Sequence, residues 1–347
     1  MTYREGYCQG RERLLQAGID EAELEARLLL EYVCGTNRND LLAHGDMELE
    51  AYQEKEYVRL IGRRVTRIPL QHLTGNQEFM GLSFRVNEHV LIPRQDTEIL
   101  VEEVLRHLHD GMRVLDMCTG SGCILISLLH YSNHCQGVGA DLSGEALAVA
   151  EENAECLLGR ERVSGGPRMS QNAGDTGGQP AGISVEAGSG HGALEMAVND
   201  GCCVTGQTID AGEGAGGQAV RDDSVGAGAI RFVRSDLFEE ITGKFDIIVS
   251  TPPYICSDVV RTLMPEVREH EPLRALDGGT DGLDFYRRII SEGRNYLFGG
   301  GMLFFEIGYD QGKAVSSLLE EAGFLEVRVV KDYAGLDRVV YGTRCFG

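Results

Sequence analysis

The chain has 347 residues, enough for about two domains at roughly 150 residues each. Apolar residues make up 42% and charged residues 25%, the balance of a globular protein, so a wholly disordered or fibrous chain is excluded. With 54 acidic against 32 basic residues the net charge is −22, whereas a protein that grips nucleic acid through its phosphates needs a basic face; a general DNA or RNA binder is disfavoured.

The first residues, MTYREGYCQGRERLLQ, lack the apolar core of a secretion signal, and no apolar run approaches the ~18 residues that cross a bilayer. A cytoplasmic protein without membrane contact is expected. Residues 1–75 read as a small helical domain. Asp20 followed by Glu23 has the form of a capping box, Ala22, Ala26, Leu29 and Val33 then share one helical face, and Gly35 closes the helix. A second periodic stretch, Tyr57, Leu60, Ile61, Val65 and Ile68, is expected to run to Pro69, since the residue before a proline resists helix. Residues 76–92 are expected to form a hairpin linker, because QEFMGLSFRVNEHVLI (77–92) alternates around a glycine.

From Met112 short β-rich runs alternate with helical ones, the pattern of an α/β protein with a parallel sheet covered by helices. The runs are 113–117, 137–141, 230–236, 245–250, 301–307, 325–332 and 338–343, which predicts seven strands in a domain spanning 93–347. Helices are expected near 122–131, 144–157, 283–297 and 311–322. Residues 159–229 hold 18 of the 46 glycines, with few aromatics and no sustained period. Such a composition cannot bury enough surface to offset its ordering entropy, so a disordered insertion is expected there.

Ten cysteines stand at 8, 34, 118, 123, 135, 156, 202, 203, 256 and 345. None forms CxxC and no histidine stands beside them at zinc-ligand spacing, so reduced, mostly buried thiols and no metal are expected. The nine histidines are scattered, which favours packing or solvated roles.

Two stretches carry chemistry. After the first parallel strand, whose fourth residue is Asp116, the chain reads Cys118, Thr119, Gly120, Ser121, Gly122 and enters a helix; the glycines allow a tight turn and close approach of a ligand to helix N–H groups. Asp141 ends the next strand, 19 residues after Gly122, the spacing at which a carboxylate grips ribose hydroxyls. Leu125 stands where a dinucleotide fingerprint wants a small residue and no GxxxxGK cradle is present, which leaves a cofactor with adenosine but no pyrophosphate. S-adenosylmethionine fits, with Asp236 placed near the adenine. The second stretch is Thr251, Pro252, Pro253 and Tyr254, directly after strand 245–250. Two prolines fix φ and remove two N–H donors, freeing carbonyls at a strand's C-terminal end, where open α/β sheets bind substrates.

The PPY loop together with the CTGSG turn resembles amino-methyltransferases that modify planar nitrogen, either adenine N6 or a glutamine amide. Three further stretches, PLQHLTGNQEFMGLSFRV (69–86), VLIPRQDTEILVE (90–102) and EPLRALDGGTDGLDFYRRII (271–290), are similar to the peptide chain release factor glutamine methyltransferases, the HemK/PrmC family. The resemblance covers nearly the whole chain outside 159–229. It implies a seven-stranded Rossmann-like class I S-adenosylmethionine methyltransferase with an N-terminal helical domain that docks a release factor. It further implies transfer of methyl from S-adenosylmethionine to the glutamine of the factor's GGQ loop. Carried over by position, Cys118 to Gly122 and Asp141 match the cofactor turn and ribose acid, and Thr251 to Tyr254 match the substrate loop. Thr251 stands where the family has Asn, Leu237 where it often has an aromatic against the adenine, and Gln95 where it has Pro. Two alternatives stay open: an adenine-N6 methyltransferase, which would use the same loop, and a catalytically impaired binding module, because Thr251 replaces Asn.

Overall fold

Residues 1–159 and 229–346 are described by the structure, a computed structural model. The insertion expected over 159–229 lies, apart from its two end residues, outside the described residues, as do Cys202 and Cys203.

Five helices open the chain: α1 (Tyr3–Gln16), α2 (Ala22–Cys34), α3 (Arg38–Ala43), α4 (Ala51–Val65) and α5 (Leu70–Thr74). Their core is built from Leu14, Ala26, Leu29, Leu30, Tyr57, Leu60 and Ile61, the predicted faces of α2 and α4 among them; each such large apolar side chain contributes about 1.5–3 kcal/mol when fully buried. The predicted start of α2 is corrected. The helix begins at Ala22 with Glu21 at its cap and no side-chain cap bond, one position past Asp20. The capping boxes are instead Thr2 with Glu5 and Glu50 with Gln53. Gly35 does close α2, with φ 62°. The predicted end of α4 is also corrected: it stops at Val65, before the proline acts, because Arg67 turns to φ 70° and sends its guanidinium to Glu266 and the Gly18 carbonyl.

Within 76–92 only β1 (Asn76–Phe79) and β2 (Leu82–Arg85) pair, antiparallel, across a two-residue turn in which Met80 and Gly81 both have positive φ. Residues 87–92, expected as part of the hairpin, form no strand. Helix α6 (Glu98–Leu105) follows.

The main sheet has seven strands: β3 (Arg113–Met117), β4 (Gln136–Asp141), β5 (Ile230–Arg234), β6 (Phe245–Ser250), β7 (Leu297–Glu306), β8 (Phe324–Lys331) and β9 (Asp337–Arg344). Their order is β5-β4-β3-β6-β7-β9-β8, parallel except for β9, which runs antiparallel to both neighbours. Because successive strand residues face opposite sides, Val114, Ile247, Val249 and Phe304 pack on one face against α6 and α7 (Cys123–His130). Leu115, Ile248, Leu303 and Phe305 pack on the other face against α11 (Asp284–Gly293) and α12 (Gly312–Glu321). The near-continuous apolar runs of β3 and β6 follow from burial on both faces. Helix α8 (Gly144–Leu158) covers β4, and the short helices α9 (Ser257–Val260) and α10 (Pro265–His270) lie between β6 and α11.

The chain leaves central β3 toward β4 and β5, then returns to the other side of β3 at β6. The crevice where the order reverses, at the C-terminal ends of β3 and β6, is where such sheets bind ligands.

Candidate active site

Both sequence stretches meet at that crevice. Met117 pairs with Ser250, and the Ser250 hydroxyl donates to the Met117 carbonyl at 2.7 Å, tying the end of β6 to the end of β3 just before the two loops diverge. A cavity of about 170 Å³ opens there, and Cys118, Thr119, Gly120, Ser121, Asp141, Asp236, Leu237, Thr251 and Pro253 all line it. Asp116, Gly122, Pro252 and Tyr254 adjoin lining residues along the chain.

The turn after β3 takes positive φ at Cys118 (64°), Gly120 (55°) and Gly122 (78°). Glycine meets this at two positions for different reasons. A Cβ on Gly122 would come within 2.9 Å of Ile126 and 3.1 Å of Ala150, so its absence lets the turn and α7 seat against α8. A Cβ on Gly120 would meet nothing within 4 Å, because that side is open cavity. Cys118 holds the left-handed conformation without glycine's freedom, at a cost of roughly 1–2 kcal/mol. Beneath the turn, fully buried Asp116 accepts the Thr119 hydroxyl at 2.6 Å. Burial pushes its carboxyl up to about 7.

Asp141 closes β4. One of its carboxylate oxygens accepts the Gly120 N–H and the other the Ser143 N–H, both at 2.9 Å. Burial raises its pKa while those two N–H groups oppose the rise. Each oxygen keeps a further lone pair, the donor-free chemistry that suits a pair of hydroxyls. Asp236 is half-exposed and pairs with Arg288 at 2.8 Å. Leu237 is buried with φ 51°, its carbonyl taking the Ser235 hydroxyl at 2.7 Å. The opposite wall comes from residues 89–94 and Thr97, and Arg94 there pairs with buried Glu271 at 2.6 Å and 2.8 Å. Gln95 opens a 3-10 turn (Gln95–Thr97), a first-turn place where proline is equally at home.

The stretch 271–290, which sequence reading could only match, clamps the PPY loop. Ile255 donates to the Leu276 carbonyl at 3.0 Å, Gly278 donates back to the Ile255 carbonyl at 2.9 Å, and Ser257 donates to the Gly279 carbonyl at 3.0 Å. A Cβ on Gly278 would fall 2.7 Å from the Pro253 oxygen and from Tyr254 Cα, so this approach requires glycine. The Gln311 amide donates to the Tyr254 carbonyl at 3.0 Å and to the Gly282 carbonyl at 3.3 Å. No described residue donates to the Pro252 carbonyl, which lies past the end of the β6 ladder.

Glu306 was missed. It ends β7, is buried, and accepts the Tyr254 hydroxyl at 3.2 Å and the Thr251 hydroxyl at 3.5 Å. An acid closing an otherwise apolar run at a strand's C-terminal end, one strand over from PPY, was the available signal. Among the described cysteines only Cys123 and Cys135 are buried, so the expectation of mostly buried thiols is corrected. Among the described residues no cluster suited to a metal ion is found, and no helix is long and apolar enough to cross a membrane.

An open α/β sheet of this order, with a glycine turn and a strand-end acid sharing a cavity at its reversal point, defines a class I methyltransferase. Residues 7–75 match the family model described as PrmC N-terminal domain. The release factor glutamine methyltransferase of Caulobacter vibrioides is 35% identical over 346 residues, covering 99% of this chain and 97% of the relative. That of Clostridium acetobutylicum is 35% identical, covering 95% of each. Among solved structures, a release-factor-specific protein-(glutamine-N5) methyltransferase from Alicyclobacillus acidocaldarius is 25% identical, with a TM-score of 0.35 over 76% of this chain and 99% of that one. The chain belongs to the release factor glutamine methyltransferase family.

Proposed function

We propose that this chain transfers the methyl group of S-adenosylmethionine to the side-chain amide nitrogen, N5, of the glutamine in the GGQ loop of a peptide chain release factor. The single observation that carries the reading is the Ser250–Met117 tie, which sets the PPY loop beside the glycine turn at one cavity.

The residues fit the cofactor. The open side of Gly120 leaves room beside the turn, Asp141 offers acceptors for the ribose hydroxyls, and Leu237 gives the adenine an apolar contact beside Asp236. When bound, S-adenosylmethionine supplies an electrophilic methyl on a sulfonium. The chain's own residues address the other reactant. An amide nitrogen is a poor nucleophile because its lone pair is delocalised into the carbonyl. Thr251 and the Pro252 carbonyl accept the two N–H groups, which orients the nitrogen's π face and favours the positive charge that develops there. Tyr254, its ring set by the bond to Glu306, packs against the amide plane and excludes water. No general base is needed before transfer.

The helical region 1–75 docks the body of the factor, and the protein works in the cytoplasm, where release factors do. The test is mass spectrometry of the GGQ tryptic peptide after incubation with factor and cofactor. One added methyl on the glutamine is expected. An unmodified glutamine, with cofactor binding intact by calorimetry, overturns the reading.

A further inference from the structure

A free threonine hydroxyl is an ambiguous partner: it rotates, and presents either its proton or its lone pairs to whatever enters. In this site it is not free. Thr251 and Tyr254 both direct their hydroxyls to Glu306, at 3.5 Å and 3.2 Å, and Glu306 is buried at the end of β7. The longer contact is of the kind that tightens when a substrate fills the site. Ionised, as the Arg338 guanidinium favours, Glu306 only accepts, and in that form it takes the proton of each hydroxyl.

We infer that Glu306 is the positioning residue of the substrate loop: by holding the Thr251 proton it leaves the Thr251 oxygen as an acceptor toward the cavity, so that threonine selects the N–H end of a carboxamide. This rests on the proposed function and deepens it. The same arrangement disfavours a substrate carboxylate, which brings no donor. It also explains how a shorter side chain than asparagine can serve at position 251, since asparagine offers a carbonyl acceptor without needing its proton parked. Glu306 is set for this work by its surroundings. Burial raises its carboxyl, the Thr97 hydroxyl and the Arg338 guanidinium oppose that, and Arg338 is itself anchored by Asp96 and Asp332, each at 3.1 Å.

The experiment compares Glu306→Gln in the Thr251 enzyme and in the Thr251→Asn enzyme, using release factor with its GGQ loop as substrate and the GGE version of the factor as competitor. In the Thr251 enzyme, Glu306→Gln lets the hydroxyl rotate. The kcat/KM on the GGQ factor is expected to fall about tenfold, the worth of one oriented hydrogen bond, and the GGE factor to become a better competitor. In the Thr251→Asn background the same change is expected to cost less than about threefold. Equal losses in both backgrounds, with an unchanged GGE competition, mean a merely structural role and overturn the inference alone. A wild-type enzyme that binds cofactor yet leaves the GGQ glutamine unmodified overturns the proposed function and the inference with it. Should Glu306→Gln fail to fold, carbon-13 NMR of glutamate-labelled Thr251→Val enzyme decides: the buried Glu306 carboxyl resonance is expected to shift from its wild-type position, and an unmoved resonance overturns the inference.

Discussion

Arg64 on α4 reaches Glu266 on α10, 202 positions along the chain, at 3.1 Å. The same guanidinium also grips Glu25 of α2, and Glu266 takes Arg67 at 2.8 Å. Two carboxylates and two guanidiniums thus join the opening helices to the segment that follows the PPY loop. The His270 ring adds a contact to the Thr66 carbonyl at 3.2 Å.

The Arg64 side chain is only 5% exposed. Removing one partner of a buried pair strands the other charges, at a cost of about 3–5 kcal/mol. Arg64→Ala is therefore expected to lower stability by about that amount, read from the urea midpoint. A loss under about 1 kcal/mol, the range of an exposed pair, contradicts the account.

Asp141 is expected to govern cofactor affinity. Asp141→Asn keeps the shape but removes the charge and turns one acceptor into a donor, so hydrogen bonds worth about 1.5–3 kcal/mol to a charged group are lost. Calorimetric titration with S-adenosylmethionine should show weakening of about tenfold to a hundredfold, with the fold intact by circular dichroism.

Gly278→Ala separates the two sides of the site. Its Cβ would meet main-chain atoms of Pro253 and Tyr254 at 2.7 Å, and main chain held on both sides gives little ground. Displacing a substrate loop by an ångström costs about a hundredfold in rate. Steady-state kinetics should show that loss while cofactor affinity stays within about twofold of wild type, because the glycine turn is untouched.

Asp116 makes stability depend on pH. Burial lifts its carboxyl to about 7 from an ordinary 3.8, so between these values the folded protein keeps a proton the unfolded chain has lost. Stability from this group therefore falls as pH rises through that window and is fully lost above it. Asp116→Asn still accepts the Thr119 hydroxyl and carries no charge. Its melting temperature should gain on the wild type between about pH 4 and about pH 7; a constant difference counts against the assignment.

What sequence could deliver was whatever acts over a few residues. Gly120, Gly122 and Asp141 stand at spacings set by a strand, a turn and the next strand, and Pro252 and Pro253 restrict the backbone by themselves. Glu306, Gln311 and the Arg94–Glu271 pair act across 55 to 177 positions and Gly278 through steric fit, so no local period exposes them. The same limit explains the local errors. Asp20 and Glu23 spell a capping box that the true start at Ala22 bypasses, and α4 yields to an ion pair of Arg67 rather than to Pro69. Cys8, Cys156 and Cys345 are exposed because helix faces and chain ends, not thiol polarity, decide their place.

The wall that carries the two prolines is fastened largely through peptide groups of 255, 257, 276, 278 and 279. Such a fastening is indifferent to neighbouring side-chain identity, so exposed Leu273 and Arg274 can drift without unseating it, while the glycines cannot. Efforts to retarget the enzyme toward another nitrogen should leave that wall alone, Arg94 with it because it holds buried Glu271, and diversify the facing residues from His89 to Pro93.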